Sequence, residues 1–456
     1  MLSFLMLVSL SAQATHPSPK GIWASEGYGL VYEIADGNLQ VFEVSKVSCL
    51  PGASATAVSA PPGARGAFRI TDEPVTILLL PDGDPRRMRA HVGWAASDVV
   101  LRRIEGKPSV CGGPTPDTPG SNFETFAQTW AEHYPFFSLK KADWPAIVAT
   151  NRARITDQTT PAELFSVLEG MIARFEDAHS SIRAPSLDKR FGGRRTSPAW
   201  IDWSEKDRAY ALAAKYVDGP LRPFCEGQLE FGMLEPDVGY LRIRSFSGYH
   251  SDGSFESGLT ALESALDEIF AGAGSWKGFV IDVRINGGGS DPYGLAIARR
   301  LTDRRYLAYS KQARNNPDPD DEDSWTPEQP SFVEPSDRPG FRGRIIELIG
   351  VQSVSAAETF TQALLNRRPA IVRIGENTQG VFSDVLGRTL PNGWRFGLPN
   401  ERFVTDGRSF DGPGIAPDVE VLSFTPGGIS SGRDAGIERA LELLSDGDGD
   451  SPGRRR

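Results

Sequence analysis

The sequence predicts an α/β protein with an antiparallel β module at its N-terminus and a helical subdomain ahead of the α/β core. Three observations predict it. Up to about Arg103, apolar and polar residues alternate around glycine-containing turns; Asn122 to Asp177 carries apolar residues at helical spacing; beyond Val238, strand-like runs alternate with amphipathic helical ones. Strands alternating with helices argue for crossover units and a largely parallel sheet. Ligands of such sheets gather beyond the carboxyl ends of the strands.

At 456 residues the chain exceeds one ordinary domain, and the usual domain size implies about two to four units. A net charge of −10 and a pI near 5.2 argue against nucleic acid, whose phosphates would be repelled, and against an anionic membrane surface. The opening "MLSFLMLVSL" holds an apolar run too short to span a bilayer, followed by the small-x-small pattern Ala12-Gln13-Ala14. Residues 1–14 are therefore read as a secretory signal, although a basic start is missing, and the expected location is secreted or periplasmic. No later run is long enough for a transmembrane helix, so no membrane insertion is expected. Of the three cysteines, Cys49 and Cys111 could bridge, leaving Cys225 over. With no C-x-x-C or His/Cys cluster, neither a metal site nor a cofactor is expected.

Residues 15–115 form the expected β module: "GLVYEIADGNLQVFEV" alternates around Asp36-Gly37, a favoured hairpin turn, and a second alternating stretch follows. This predicts a small antiparallel sheet or barrel, with "GKPSVCGGPTPDTPGSN" as a linker. In residues 116–185, Phe123, Phe126, Ala127, Trp130, Ala131 and Tyr134 share one helical face. A second helix starts near Asp143, and a third after Thr160-Pro161-Ala162-Glu163, a capping box with proline at the first helical position. The third helix ends around Asp177, and His179 sits just beyond. Residues 186–425 hold the α/β core, and 426–456 a terminal helix and a disordered tail. Within the core, "NNPDPDDEDSWTPEQPSFVEPSDRPG" reads as a solvated loop, or more sharply as a mobile cover over a site. Its aspartates Asp318, Asp320, Asp321 and Asp323 lack the glycine and terminal glutamate of a calcium loop and are read as solvated charge.

Chemistry is concentrated in two turns. "GFVIDVRINGGGSDPYG" ends a strand in Gly287-Gly288-Gly289 and opens a helix, so bare N–H groups point at a helix start, where a phosphate or an oxyanion is favoured. "RIIELIGVQSVSAAETF" passes from strand to helix at Ser355. There Ser355-Ala-Ala-Glu358 fits a capping box, so the serine is either a cap or a nucleophile. If both strands lie parallel in one sheet, these loops emerge at one edge, which sets candidate oxyanion donors beside a candidate nucleophile. A serine nucleophile needs a base. The last lysine is Lys311, which disfavours a Ser-Lys pair built from the C-terminal half. Of the five histidines, His16 lies at the signal junction, His91 in the β module, His133 in a helix and His250 after a strand; His179 occupies a helix-to-strand turn that can project into a site.

These residues resemble the S41 serine peptidases, the family of C-terminal processing proteases, the tricorn core and interphotoreceptor retinoid-binding protein. "VIDVRINGGG" looks like the family's D-x-R-x-N-x-G-G signature and "SVSAAETF" like its nucleophile segment, over a resemblance that runs from about Asn122 to Leu444. The processing branch carries a lysine in "GE-x-x-x-GK", where this chain has Val381, so the tricorn-type branch with a histidine base is the better match. The resemblance implies a crotonase/ClpP-like spiral ββα core, with Ser355 as nucleophile, His179 as base and Asp411 as the acid that orients it. It also implies an oxyanion hole from the N–H groups of Gly288 or Gly289 and of Ala356. Asp411 stands where the family usually has glutamate, Ala178 where tricorn has serine, and no PDZ-like segment precedes "VGYLRI".

The expected function is that of an exported serine endopeptidase acting on peptides or unfolded proteins, with a homo-oligomer implied by the resemblance alone. The alternatives are a non-catalytic protein that binds apolar ligands or peptides on the same fold, and an acyl-CoA enzyme of the crotonase fold.

Overall fold

The computed structural model describes residues 18–445, apart from residues 72, 196, 198–200, 203–204 and 316–323. The expected signal, the aspartates of the acidic loop and the expected tail beyond residue 445 lie outside the described residues.

The N-terminal module is a closed barrel in which each strand pairs with its sequence neighbour and the last returns to the first. Its strands are β1 (Gly21–Ser25), β2 (Leu30–Ala35), β3 (Asn38–Val44), β4 (Cys49–Val58), β5 (Gly66–Ile70), β6 (Thr76–Pro81), β7 (Arg87–His91) and β8 (Val99–Ile104). Asp36 and Gly37 take φ of 50° and 81°, the left-handed pair that a two-residue hairpin requires. Closure leaves no free edge. A disulfide joins Cys49 at the start of β4 to Cys111 in the linker.

Helices α1 (Pro119–His133), α2 (Trp144–Arg152) and α3 (Pro161–Ile172) follow as expected. Asp143 caps α2 through Ala146 N–H at 2.9 Å, and Thr160 and Glu163 close the capping box of α3. Phe126, Trp130, Tyr134, Trp144 and Phe175 pack ring against ring, with centroids 4.8–6.1 Å apart. The helices do not close this core alone, because Leu386, Trp394, Phe396 and Leu398 from far downstream complete it.

Strands β9 (Ser181–Ala184) and β10 (Lys189–Gly192) lead through α4 (Lys206–Ala213) to β11 (Arg222–Phe224), β12 (Leu229–Glu235) and β13 (Val238–Ile243). Then come α5 (Phe255–Phe270), β14 (Gly278–Asp282), β15 (Ile285–Asn286), α6 (Asp291–Arg299), β16 (Tyr306–Ala313), β17 (Gln329–Val333), β18 (Arg344–Ile349), β19 (Gln352–Ser353) and α7 (Ala356–Ala363). The chain ends its described course in β20 (Val372–Gly375), β21 (Val385–Thr389), β22 (Arg395–Pro399), β23 (Glu401–Thr405), β24 (Arg408–Ser409), β25 (Val419–Glu420), α8 (Pro426–Ser431) and α9 (Ala435–Ser445).

The central sheet runs β11-β12-β13-β14-β18-β20-β25, parallel from β13 onward. Strands β13, β14 and β18 are buried almost throughout, which is why they read as near-continuous apolar runs. Two antiparallel sheets flank it, β10-β9-β22-β21 and β17-β16-β23-β24. The first crosses the expected boundary at residue 185, so the histidine-bearing segment and the core share one sheet.

Candidate active site

Beyond the carboxyl ends of β14 and β18 the two glycine- and serine-bearing turns lie side by side, paired in parallel through Asn286 and Ser353. The signature residues divide the labour. Asp282 and Arg284 form a buried ion pair at 2.6 Å, and Arg284 also grips Asp434, just before α9, at 2.7 Å. Asn286 donates to the Ile243 carbonyl and accepts Gly288 N–H at 2.8 Å, which shapes the turn. Gly288, at φ 91°, passes so close that a Cβ there would lie 2.6 Å from Ser355 Cβ.

Ser355 heads α7 with φ 58° and ψ −121°, a conformation that side chains bearing a Cβ rarely adopt. An ordinary N-cap has extended φ/ψ and turns its oxygen onto the helix N–H groups. Here the Glu358 N–H goes instead to the Ser355 carbonyl at 2.7 Å, and the hydroxyl makes no cap hydrogen bond. The capping-box arrangement is nonetheless in place, with Glu358 Oε2 accepting Ser355 N–H at 3.3 Å and the serine side chain facing the Glu358 N–H. The box orients the helix start, while the hydroxyl itself is not held by a cap hydrogen bond.

Of the expected oxyanion donors, Gly288 N–H is engaged by Asn286. Gly289 is different. The bridge it shares with Phe246 uses Gly288 O and Ser290 N, which directs its own N–H elsewhere. Ala356 N–H lies in the first turn of α7, where helical N–H groups have no partner within the helix. The arrangement leaves Gly289 and Ala356 as donors beside Ser355.

His179 sits in a turn made by Asp177, whose Oδ1 accepts the His179 N–H at 2.9 Å. The imidazole is buried, its Nδ1 has no partner, and the Ser383 carbonyl lies against the ring. Burial lowers its pKa, against the opposing pull of Asp177 and Asp384. Ser180, next in sequence, is fully buried with an unpartnered hydroxyl. No hydrogen bond joins His179 to Ser355 among the described residues.

Asp411 is placed differently from the expectation. Its carboxylate accepts from Ser409 Oγ at 2.6 Å and Phe382 N–H at 3.3 Å, not from the imidazole. Burial pushes it up to about 7. Asp177 is the carboxylate in the His179 turn, and the Tyr134 hydroxyl stands 3.5 Å from it. One loop, residues 380–384, ties these groups together. Gly380 and Val381 N–H groups bind Glu358, Phe382 N–H binds Asp411, the Ser383 carbonyl meets His179, and Asp384 pairs with Lys311.

A cavity of about 580 Å³ opens at Ser355 and Gly289, with Lys311, Asp384 and Glu401 in its wall. Lys311 lies 2.5 Å from Asp384 and 3.1 Å from Glu401. Burial would lower its pKa, yet the two carboxylates hold it well above the usual lysine value, so it stays an ammonium. Sequence reading missed this group. Its signal was a lysine inside the mostly apolar run "YLAYSKQA", since a charge on a buried strand needs a partner. Among the described residues no cluster of His, Cys, Asp and Glu is arranged to hold a metal ion, and no helix is long and apolar enough to cross a membrane.

Residues 237–421 match the model of peptidase family S41. Carboxyl-terminal-processing peptidase 2, chloroplastic, of Arabidopsis thaliana is 25% identical over 191 residues, which is 41% of this chain and 32% of the relative. The matched stretch thus spans about a third of that relative. The crystal structure of a peptidase candidate from Parabacteroides merdae is 26% identical with a TM-score of 0.61, covering 74% of this chain and 100% of that one. Mature CPAF, at 14% identity and a TM-score of 0.52 over 73% of this chain and 98% of its own, is similar in fold.

Proposed function

We propose that this chain, whose residues 237–421 match the model of peptidase family S41, is an exported serine endopeptidase working through Ser355 and His179. The observation that carries the reading is the backbone of Ser355: a φ of 58° costs free energy, leaves the hydroxyl without a cap hydrogen bond, and sets the residue in the wall of a cavity beside the Gly289 and Ala356 N–H groups. In this mechanism Ser355 Oγ attacks the scissile carbonyl carbon while its proton passes to His179. Gly289 and Ala356 N–H groups hold the oxyanion. The C–N bond then breaks, the leaving amine takes the proton from His179, and water releases the acyl group by the same route. Substrate binding closes the remaining gap between imidazole and hydroxyl, as catalytic hydrogen bonds commonly tighten only in the loaded complex.

Lys311 lies nearer the cavity than His179, but a twice-paired ammonium accepts no proton, which favours the histidine. Asp177 takes the orienting role in place of Asp411, since it fixes the turn that carries the ring. The edge strand β21, whose Val385 to Arg388 line the cavity, suits an extended peptide added as a further strand. Export is supported by the Cys49–Cys111 bridge, a bond that persists in oxidising compartments. The crotonase-like spiral is likewise a proposal, supported by the parallel run β13-β14-β18-β20 with helices between.

Labelling with a fluorophosphonate tests the reading. Wild type is expected to label, with labelling abolished in Ser355→Ala and slowed about 10³-fold or more in His179→Ala. A wild type that neither labels nor degrades an unfolded protein would transfer the chain to the non-catalytic binding class.

A further inference from the structure

The barrel is more than an appendage. Inward-facing residues recur every second position along each strand, and four such rows run from one end of the barrel to the other: Ile34-Tyr32-Leu30, Phe68-Ile70, Met88-Ala90-Val92 and Leu101-Val99. Each row is tightly packed at one end and loosens toward the other, where Leu30, Ile70, Val92 and Val99 are only partly buried. The packed end is stoppered by Trp23, which is fully buried, hydrogen-bonded to the Pro19 carbonyl at 2.8 Å and flanked by Arg65 and Arg103. The loose end is the wall of the cavity that terminates at Ser355 and Gly289.

That alignment is held by polar contacts on two sides. Ser290 Oγ, directly after the glycine turn, donates to the Trp94 carbonyl at 3.0 Å. Opposite, Tyr28 donates to Glu401 at 2.6 Å, and Arg388 donates to the Tyr28 carbonyl. Trp94 stands at the rim, 46% exposed, with a smaller groove of about 190 Å³ beyond it that is lined by Phe246, Ser247 and Phe255. The charges nearest Ser355, on Lys311, Asp384 and Glu401, already satisfy one another, and although Glu43, Glu73 and Arg388 also line the wall, the barrel residues give it mostly apolar surface.

We infer that the open end of the N-terminal barrel is the subsite for a large apolar side chain on the substrate residue that supplies the scissile carbonyl, with Trp94 separating it from the groove on the leaving side. The inference rests on the peptidase reading of the Ser355 site. A long acyl chain on an ester shares the same chemistry, so both are tested.

Val99→Trp and Ile70→Trp each fill the barrel end from its wall and touch none of the residues assigned to catalysis. Wild type and both variants, matched for melting temperature, are assayed on coumarin peptide amides with Phe or Ala before the scissile bond, on nitrophenyl butyrate and laurate, and for Nile red fluorescence. Wild type is expected to prefer the Phe peptide over the Ala peptide by about tenfold or more in kcat/KM. Both variants are expected to lose that preference while still cleaving the Ala peptide and still labelling with fluorophosphonate. Equal rates on Phe and Ala in wild type, or a preference that survives in both variants, would overturn the subsite. Preference for laurate without preference for Phe would overturn the peptide assignment in favour of the acyl chain. If wild type shows no hydrolysis and no labelling, the peptidase reading fails separately. Nile red fluorescence then decides the rest: a gain lost in both variants retains the apolar subsite, and no gain removes it.

Discussion

Ser355 and Gly288 depend on each other at the scale of single atoms. The serine turn can stand where it does because the facing residue has no side chain: a methyl on Gly288 would meet Ser355 Cβ at 2.6 Å and the Val354 carbonyl at 2.8 Å, at a φ of 91° that disfavours it further. Gly288→Ala is therefore expected to keep the fold but displace the nucleophile, and displacement on the ångström scale costs about 100-fold in rate. The fluorophosphonate labelling rate measures it. His179 provides the pH prediction. Burial holds its pKa below the ordinary value of 6.5, so the neutral base persists into mild acid, and kcat/KM should fall only as pH drops through that lowered value. The acid limb of the pH profile is thus expected below 6.5, and a limb above it would count against His179 as the buried base. The same depression makes the ring's contribution to stability present above the unfolded value and lost as pH falls through the folded one.

At the scale of elements, the signature strand is anchored to the end of the chain. Arg284 is buried between Asp282 and Asp434, and Asp434 also accepts the N–H groups of Gly436 and Ile437 at the start of α9. Helix α9 in turn covers the sheet, with Leu444 against Gly278 of β14. Removing one partner of a buried pair leaves an uncompensated charge, so Asp434→Ala is expected to lower stability by about 3–5 kcal/mol. Urea denaturation checks it, and a change within about 0.5 kcal/mol, the range of ordinary surface substitutions, would show the anchor to be dispensable. The helical segment makes the complementary point. Its caps and stripe were legible because they are local, whereas the strands β21 and β22 that finish its core follow it by about two hundred residues and leave no mark on its own pattern.

At the scale of the whole molecule, the disulfide ties the barrel to the linker before α1 with a sequence separation of 62. By the chain-entropy relation such a loop is worth about 4 kcal/mol. The double variant Cys49→Ser, Cys111→Ser should lose stability of that order in denaturant, and reducing agent should reproduce the loss in wild type but not in the variant. Barrel and core meet through Ser290–Trp94 and Tyr28–Glu401, contacts between residues 196 and 373 positions apart.

Local periodicity, turn chemistry and two short motifs were enough for the sequence to determine the β module, the three helices that follow it, the parallel core, the His179 turn and the approach of the glycine loop to Ser355, but not β17, which lies inside the segment read as a solvated loop. Each depends on neighbours within a few residues or on the rule that successive parallel strands point the same way. Tertiary structure decided what the individual groups do there: that Ser355 takes a positive φ and leaves its hydroxyl without a cap hydrogen bond, that Gly288 and not Gly289 gives its amide to Asn286, that Asp177 and not Asp411 holds the histidine turn, and that Lys311 shares the cavity. Those outcomes follow from which polar groups are buried together and must satisfy one another, a condition set by contacts across hundreds of residues.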